Sequence, residues 1–210
     1  MDRFLITHSL LNSWLYLLRE NPYETTESEE NRLDDFLRVL KRIPTPTTPA
    51  MQNGIDFEDM VTAIMDGEPN YAHEGWIDAA TKIASILDGS VLQYRAKREV
   101  VIAGVPFLLY GRLDALRAGT IFDIKFTGKY DVGKYVTYTQ HPMYFAIVPE
   151  AIDFTYLVSN GSSVWKETYR RDESPAIEPI IADFVEWLKF NGLWELYCEH
   201  WLALKAGSHA

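Results

Sequence analysis

The sequence is poor in cysteine, because Cys198 carries the one thiol among its 210 residues. A lone cysteine excludes an internal disulfide, and it also excludes a zinc or iron–sulfur centre held by several cysteines. The five histidines are scattered along the chain, which argues against a histidine-based metal centre. Cys198 itself is most simply interpreted as a small core residue.

Long apolar runs are also missing. No run approaches the ~20 residues that a membrane-spanning helix needs. The first stretch, MDRFLITHSLLNSWLYLL, carries an acidic residue at Asp2 and lacks the small-residue cleavage site of a secretory signal. The sequence therefore predicts no membrane span and a cytoplasmic location.

The chain has no overall excess of basic charge, since its net charge is -10. Such a balance argues against a protein that coats a polyanion broadly. The basic residues are nevertheless concentrated between Tyr94 and Lys134, a stretch that contains eight basic and four acidic residues. This stretch either surrounds a local site for an anionic partner or decorates the exposed face of a hairpin.

Hydrophobic periodicity divides the chain into helical and strand-like parts. The predicted helices are Phe4 to Leu18, Leu33 to Leu40, Gly54 to Met65, Glu74 to Leu87, Lys134 to Val148, Ile177 to Phe190 and Leu193 to Lys205. From Tyr94 the period changes to that of strands, with turns at Ala103-Gly104 and Arg117-Ala118-Gly119. These features predict a three-stranded antiparallel meander, and DFTYLVS with SVWKETY predicts a further hairpin.

The composition, 47% hydrophobic and 24% charged, is that of an ordinary globular domain. The order of the elements predicts an α/β fold with a central mixed β-sheet flanked by helices. We expect one domain over residues 1–210. It would have a helical N-terminal part (1–90), a sheet core with a further helix (91–170) and C-terminal helices (171–210).

The stretch GRLDALRAGTIFDIKFTGK places Asp114 and Asp123 inside runs that otherwise indicate buried strands. An unpaired charge is costly there, so a cation, a partner or a reaction should require it. The turn between the strands can bring both carboxylates together, and strand alternation puts Lys125 on the same face as Asp123. Two carboxylates beside an ammonium group can hold Mg²⁺ and orient a water for phosphodiester hydrolysis.

The same residues also permit a simpler interpretation. Asp114 could end a strand beside a turn, and Asp123 could be a charge on an edge strand. With Lys125 they could form an ordinary cross-strand ion pair. Additional motifs are needed to choose between these two interpretations.

Such motifs are present. GRLD, followed nine residues later by DIK, resembles the G-x-x-D … D-x-K core of the PD-(D/E)XK nucleases. Gln140 and Tyr144 match the Q-x-x-x-Y motif of the RecB-like branch, which includes bacterial recombination nucleases, phage exonucleases and CRISPR adaptation nucleases. The resemblance covers Gly54 to Tyr144, and it implies a core like that of restriction endonucleases. The iron–sulfur cysteines of some RecB-like nucleases are absent.

The resemblance implies a role for each matching residue. Asp114 and Asp123 would ligate Mg²⁺ or Mn²⁺, the Ile124 carbonyl would add an oxygen, and Lys125 would be catalytic. Glu58 would be a third, catalytic ligand on the preceding helix, with Asp59 as the alternative. Gln140 and Tyr144, which share one helix face, would position DNA or support the site.

These implications lead to the hypothesis of a Mg²⁺- or Mn²⁺-dependent deoxyribonuclease. We expect an exonuclease that acts in DNA recombination, repair or phage DNA processing, on linear duplex or single-stranded ends. Its candidate phosphate contacts are Arg95, Lys97, Arg98, Lys129 and Lys134. It could assemble as a homo-oligomer or with a recombination partner. The alternative is an inactive nuclease-fold module that binds nucleic acid or protein.

Overall fold

The computed structural model of the chain describes residues 2–19, 25–68 and 73–203. The helices are α1 (His8–Leu17), α2 (Thr26–Leu40), α3 (Pro49–Met65), α4 (Ile77–Leu87), α5 (Gln140–Ile147), α6 (Ile177–Phe190) and α7 (Trp194–His200). The strands are β1 (Phe4–Ile6), β2 (Val91–Ile102), β3 (Val105–Arg117), β4 (Thr120–Phe126), β5 (Asp153–Ser159) and β6 (Val164–Arg170). None of these described helices is long and apolar enough to cross a membrane.

The six strands form one mixed sheet. Strands β2, β3 and β4 are successively antiparallel, β4 and β5 are parallel, and β5 and β6 are antiparallel. Strand β1 lies parallel to β3, on the same side of β3 as β4. The predicted α/β fold, with its antiparallel meander in a central mixed sheet flanked by helices, is confirmed.

Two tight turns set the register of the meander. Ala103 and Gly104 have φ values of 49° and 76°, and Ala118 and Gly119 have φ values of 48° and 81°. Positive φ at both central residues is the geometry of a type I′ turn, whose twist matches that of the strands it joins. Both turns lie where the sequence predicted them.

The start of the chain differs from the prediction. Phe4 to Ile6 form strand β1 on the edge of β3, and α1 begins only at His8, after the N-cap Thr7. Three apolar residues cannot distinguish a strand from the first turn of a helix, and here β3 offers backbone partners. The N-terminal part, 1–90, is therefore not entirely helical.

Other helix boundaries also move. Helix α2 begins at Thr26, well before the predicted Leu33, because Thr25 and Ser28 form a capping box ahead of its apolar residues. Helix α5 begins at Gln140, since turns occupy residues 132–137 where a helix was predicted. Helix α7 ends at His200; residues 204 and 205 of the predicted last helix lie outside the described residues.

The sheet separates two hydrophobic cores. Buried residues of α1, α2, α5, α6 and α7 form the large core on one face, and those of α3 and α4 form the small core on the other. Strand β4 contributes Ile121 to the large core and Phe122 to the small core. Because side chains alternate along a strand, Asp123 and Lys125 extend toward the large-core face.

Candidate active site

The carboxylates of Asp114 and Asp123 meet where β3 and β4 separate. The β3–β4 ladder runs from Arg117↔Thr120 to Ala115↔Phe122 and stops there. The same register, continued by one residue, places Asp114 opposite Asp123. The Ile124 amide has no ladder partner on β3 and donates instead to Asp114 Oδ2 at 2.8 Å. A side chain thus replaces the backbone acceptor and fixes the Asp114 carboxylate.

Asp123 and Lys125 form a close ion pair. Lys125 Nζ lies 2.6 Å from Asp123 Oδ2, and the Asp123 side chain is buried. Burial alone lowers the pKa of Lys125, but the neighbouring Asp123 and Asp114 carboxylates outweigh it, so the pKa of Lys125 is raised. The ammonium group therefore stays charged at neutral pH. Asp123 Oδ2 has no contact of good hydrogen-bond geometry, despite the short distance to Lys125.

Glu58 approaches this pair from α3. Its Oε1 atom accepts a hydrogen bond from Gln93 Nε2 at 2.7 Å and lies 3.9 Å from Arg112 Nη2. Asp59, the alternative ligand, is exposed. Of the two, Glu58 is the residue that faces the site.

The pKa of Asp114 reflects its burial and the charges of the neighbouring carboxylates. Burial raises the pKa of Asp114 well above its usual value, and the negative charges of Asp123 and then Glu58 raise it further. Without a cation, the negative charges of Asp123 and Glu58 oppose the ionisation of Asp114. A bound divalent cation would relieve this repulsion.

The oxygen donors fit a magnesium-type ion, which binds through one or two carboxylates and keeps several waters. Asp114 and Asp123 supply two carboxylates, and Asp123 Oδ2 is a buried acceptor without a well-formed hydrogen bond. Within the described ranges, no group of three or more His, Cys, Asp or Glu side chains is placed so that it could hold a metal ion, so Glu58 as a third ligand remains a prediction. The Ile124 carbonyl as a ligand remains a prediction.

Gln140 and Tyr144 lie on the face of α5 that covers β3 and β4. Gln140 Nε2 donates to Asp123 Oδ1 at 2.5 Å, and both side chains are buried. Tyr144 donates from its hydroxyl to the Arg112 carbonyl at 2.9 Å and is also buried. Of the two roles that the sequence left open, these contacts favour support of the site over direct contact with DNA.

Tyr144 also explains the glycine of the G-x-x-D motif. Strand β1 pairs with residues 107–109 of β3 and β4 with residues 115–117, so residues 110–114 have no strand partner on that side. The Tyr144 ring occupies this gap, and a Cβ at Gly111 would overlap its Cε1 atom. The two motifs are therefore in direct contact.

Two residues near the site were missed by the sequence analysis. His8 begins α1, and its ring meets that of Tyr144 edge-on at 5.5 Å. Burial, with a smaller effect of the Lys125 charge, lowers the pKa of His8 to about 4. Gln93, from β2, binds Glu58. Neither belongs to a recognisable motif, and no local pattern could have singled out His8 from the other histidines.

The predicted phosphate contacts lie on strand β2 and on the loop between β4 and α5. Arg95 and Lys97 are exposed on β2, whereas Arg98 on the same strand donates to the Ala146 carbonyl at 2.8 Å. Lys129 lies 3.4 Å from Asp131. Lys134 donates to Thr127 Oγ1 at 3.1 Å, which closes the loop between β4 and α5.

Comparison with known proteins adds information on the fold. No family model and no curated protein matches this sequence. A solved structure described as "Crystal structure of SSO0001" is similar to this chain, with a TM-score of 0.50 and 14% sequence identity. The match covers 91% of this chain and 77% of that chain. At this identity the likeness bears on the fold alone.

Proposed function

We propose that this protein is a Mg²⁺- or Mn²⁺-dependent deoxyribonuclease. The observation that carries the proposal is the meeting of Asp114, Asp123 and Lys125 at the point where β3 and β4 separate. Ordinary surface ion pairs do not require a second carboxylate that is buried against the first. The arrangement is the one that the resemblance to RecB-like nucleases leads us to expect.

Each residue would have a distinct task. Asp114, Asp123 and Glu58 would hold the cation, with the Ile124 carbonyl as a further oxygen. When bound, the cation would polarise a phosphoryl oxygen and make water a better nucleophile. Lys125 would donate hydrogen bonds from its ammonium group to the attacking water or to a phosphate oxygen, offsetting negative charge in the transition state. Gln140 would keep the Asp123 carboxylate in one orientation.

The charge distribution supports a substrate that enters one local site. The exposed residues Arg95, Lys97, Lys129 and Lys134 would contact the DNA backbone, while the acidic remainder of the chain would repel it. We therefore favour an exonuclease that takes a DNA end, and recombination, repair or phage DNA processing as its setting. Arg98 donates from Nη1 to the Ala146 carbonyl, and the other N–H groups of its exposed guanidinium could still contact a phosphate.

The proposal is tested by digestion of an end-labelled linear duplex, an end-labelled single strand and a closed circular duplex. Each substrate is incubated with Mg²⁺, Mn²⁺ or a chelator. We expect the linear DNA to be degraded only with metal and the circle to be spared. Asp123→Ala and Lys125→Ala should each abolish cleavage while circular dichroism shows an intact fold. Asp172→Ala, which removes an exposed carboxylate paired with Arg170 at 3.0 Å, is the control and should cleave normally.

Three results would change this conclusion. Cleavage of the closed circle would indicate an endonuclease and not an exonuclease. DNA binding without cleavage of any substrate would favour the inactive binding module. Cleavage by Lys125→Ala at the wild-type rate would remove the residue assignment.

A further inference from the structure

Gln93 has an unusual backbone conformation for a residue inside a strand. Its φ is 51°, in the left-handed region, although β2 runs from Val91 to Ile102 without a turn. A side chain other than glycine is strained there, and such strain persists only where the surroundings impose it. Strained residues are concentrated at functional sites, which makes the neighbours of Gln93 informative.

The strain coincides with a change of face in the β2–β3 ribbon. Leu113 and Ala96 belong to the large core, whereas Leu92 packs against the small core, to which Ala115 belongs. Side chains two apart, such as Leu113 and Ala115, would ordinarily share a face. The pairing stays in register, because Leu92↔Ala115 and Tyr94↔Leu113 are both formed. The ribbon therefore switches faces at the one position between them, where the register puts Gln93 opposite Asp114 and the ladder skips this pair.

The side chain of Gln93 connects this position to Glu58. Its Nε2 atom donates to Glu58 Oε1 at 2.7 Å. An ionised carboxylate can only accept hydrogen bonds, so the amide nitrogen must face Glu58 and the amide oxygen must point elsewhere. That oxygen, Oε1, is buried and has no hydrogen-bond partner. A buried acceptor without a partner costs free energy that a cation or its bound water would recover.

We propose that Gln93 is a further residue of the metal site, which orients Glu58 through Nε2 and offers Oε1 as a neutral oxygen to the hydrated divalent cation. This inference rests on the proposed function, because it assumes a cation beside Asp114. It explains why the chain keeps glutamine at a position where glycine would relieve the backbone. The Gln93 amide oxygen would also be a neutral neighbour of the three carboxylates, so it would add an oxygen ligand for the cation without adding charge repulsion.

The test separates the side chain from the backbone. Gln93→Gly removes the amide and relieves the left-handed conformation, so it should fold at least as well as the wild type. Gln93→Asn keeps an amide that is one methylene too short to make the same contact with Glu58. Ala103→Gly is the matched control, because Ala103 also has a positive φ, 49°, but lies in the turn at the other end of the ribbon.

Mn²⁺ affinity is measured by calorimetry on the metal-free full chain, together with the melting temperature in chelator. We expect Gln93→Gly and Gln93→Asn to bind Mn²⁺ about 10-fold or more weakly, in the range found when residues that orient metal ligands are removed. Gln93→Gly should not lower the melting temperature in chelator. Ala103→Gly should bind as the wild type does, and Asp114→Asn should lose binding.

The outcomes distinguish this inference from the proposed function. If the wild type binds Mn²⁺ and Asp114→Asn does not, but Gln93→Gly retains full affinity, the role of Gln93 is overturned and the metal site stands. A loss of affinity in Ala103→Gly equal to that in Gln93→Gly would assign the effect to the ribbon backbone and overturn the role of the amide. If the wild type binds no Mn²⁺, the metal-dependent function and the inference both fail.

Discussion

Gln140 Nε2 donates a hydrogen bond to Asp123 Oδ1 at 2.5 Å, and both side chains are buried beneath α5. The bond links a helix to a strand that lies 17 residues earlier in the chain. It leaves Asp123 Oδ2 for Lys125 and for a cation. Gln140 thus determines which oxygen of the Asp123 carboxylate faces Lys125.

We predict that Gln140→Ala reduces cleavage by about 10- to 100-fold, the usual cost of removing a residue that orients a metal ligand. The reason is that Asp123 loses its fixed orientation while the cation ligands remain. Steady-state cleavage of linear duplex and Mn²⁺ affinity measure the effect. Gln52→Ala is the control, because Gln52 makes a comparable bond to Asp56 at 2.7 Å on the exposed side of α3. Equal activity of the two variants would contradict the role of Gln140.

A second prediction concerns the stability cost of Asp114. Its pKa is raised in the folded protein, above all by burial, so the folded state holds a proton more tightly than the unfolded chain does. This contribution to stability is present at low pH, below the unfolded value of about 3.9, and is lost as the pH rises through the raised pKa. At neutral pH, without metal, the Asp114 carboxyl is therefore destabilising.

Asp114→Asn removes the ionisable carboxyl, and the asparagine side-chain oxygen can still accept a hydrogen bond from the Ile124 amide. We expect the variant to melt at a higher temperature than the wild type in chelator, where each ~1 kcal/mol corresponds to about 2–4 °C for a chain of this size. We also expect it to lose cleavage and the stabilisation by Mn²⁺. Asp131→Asn, at an exposed carboxylate, should change none of these quantities. If Asp114→Asn melts at a lower temperature than the wild type in chelator, the Asp114 carboxyl does not destabilise the folded protein.

A third prediction tests the contact between Gly111 and Tyr144. Because a Cβ at Gly111 would overlap the Tyr144 ring, whose hydroxyl is bonded to the Arg112 carbonyl, Gly111→Ala must displace that ring and with it α5 or β3 unless the bond breaks. Such overpacking costs about 1–3 kcal/mol, and the displaced helix also carries Gln140, so cleavage should fall as well. Urea denaturation and cleavage assays measure the two effects.

Gly54→Ala is the matched control for this change. Gly54 lies inside α3, and no other atom comes within 4 Å of the point where a Cβ would sit, so alanine should stabilise the helix by about 0.5–1 kcal/mol. If Gly111→Ala were as stable as the wild type, the ring would have to move freely, and the proposed coupling of the two motifs would be wrong.

The central part of the site could be predicted because its signals are local. The turn at Ala118-Gly119 fixes which residues of β3 and β4 face each other, and strand alternation then relates Asp123 to Lys125. Helical spacing similarly puts Gln140 and Tyr144 on one face. These relationships depend on short stretches of chain, in which the periods of strands and helices are reliable.

The rest depends on contacts between distant parts of the chain. His8 reaches the site only because β1 adds to the edge of β3, about a hundred residues away, and α1 is then tied to Thr139, whose Oγ1 donates to the His8 carbonyl at 3.0 Å. Gln93 adopts a left-handed backbone conformation, with a φ of 51°, that glutamine disfavours. Tertiary contacts bring His8 to the site and override the local preference of Gln93, and no periodicity in the sequence records either.

The last prediction concerns acid stability and the buried His141. Its ring stacks on Tyr169 at 4.2 Å, and burial lowers its pKa to about 4, against a weaker opposing effect of Glu167. In the unfolded chain the His141 ring is protonated near pH 6.5, whereas in the folded protein it stays neutral until about pH 4. The stability that neutral His141 provides is therefore complete above pH 6.5 and is lost as the pH falls toward 4. His141→Phe keeps an aromatic ring against Tyr169 and cannot be protonated. Urea denaturation between pH 7 and 4.5 should therefore show a smaller fall in unfolding free energy for the variant, and parallel curves for the two proteins would rule out His141 as an acid-sensitive group.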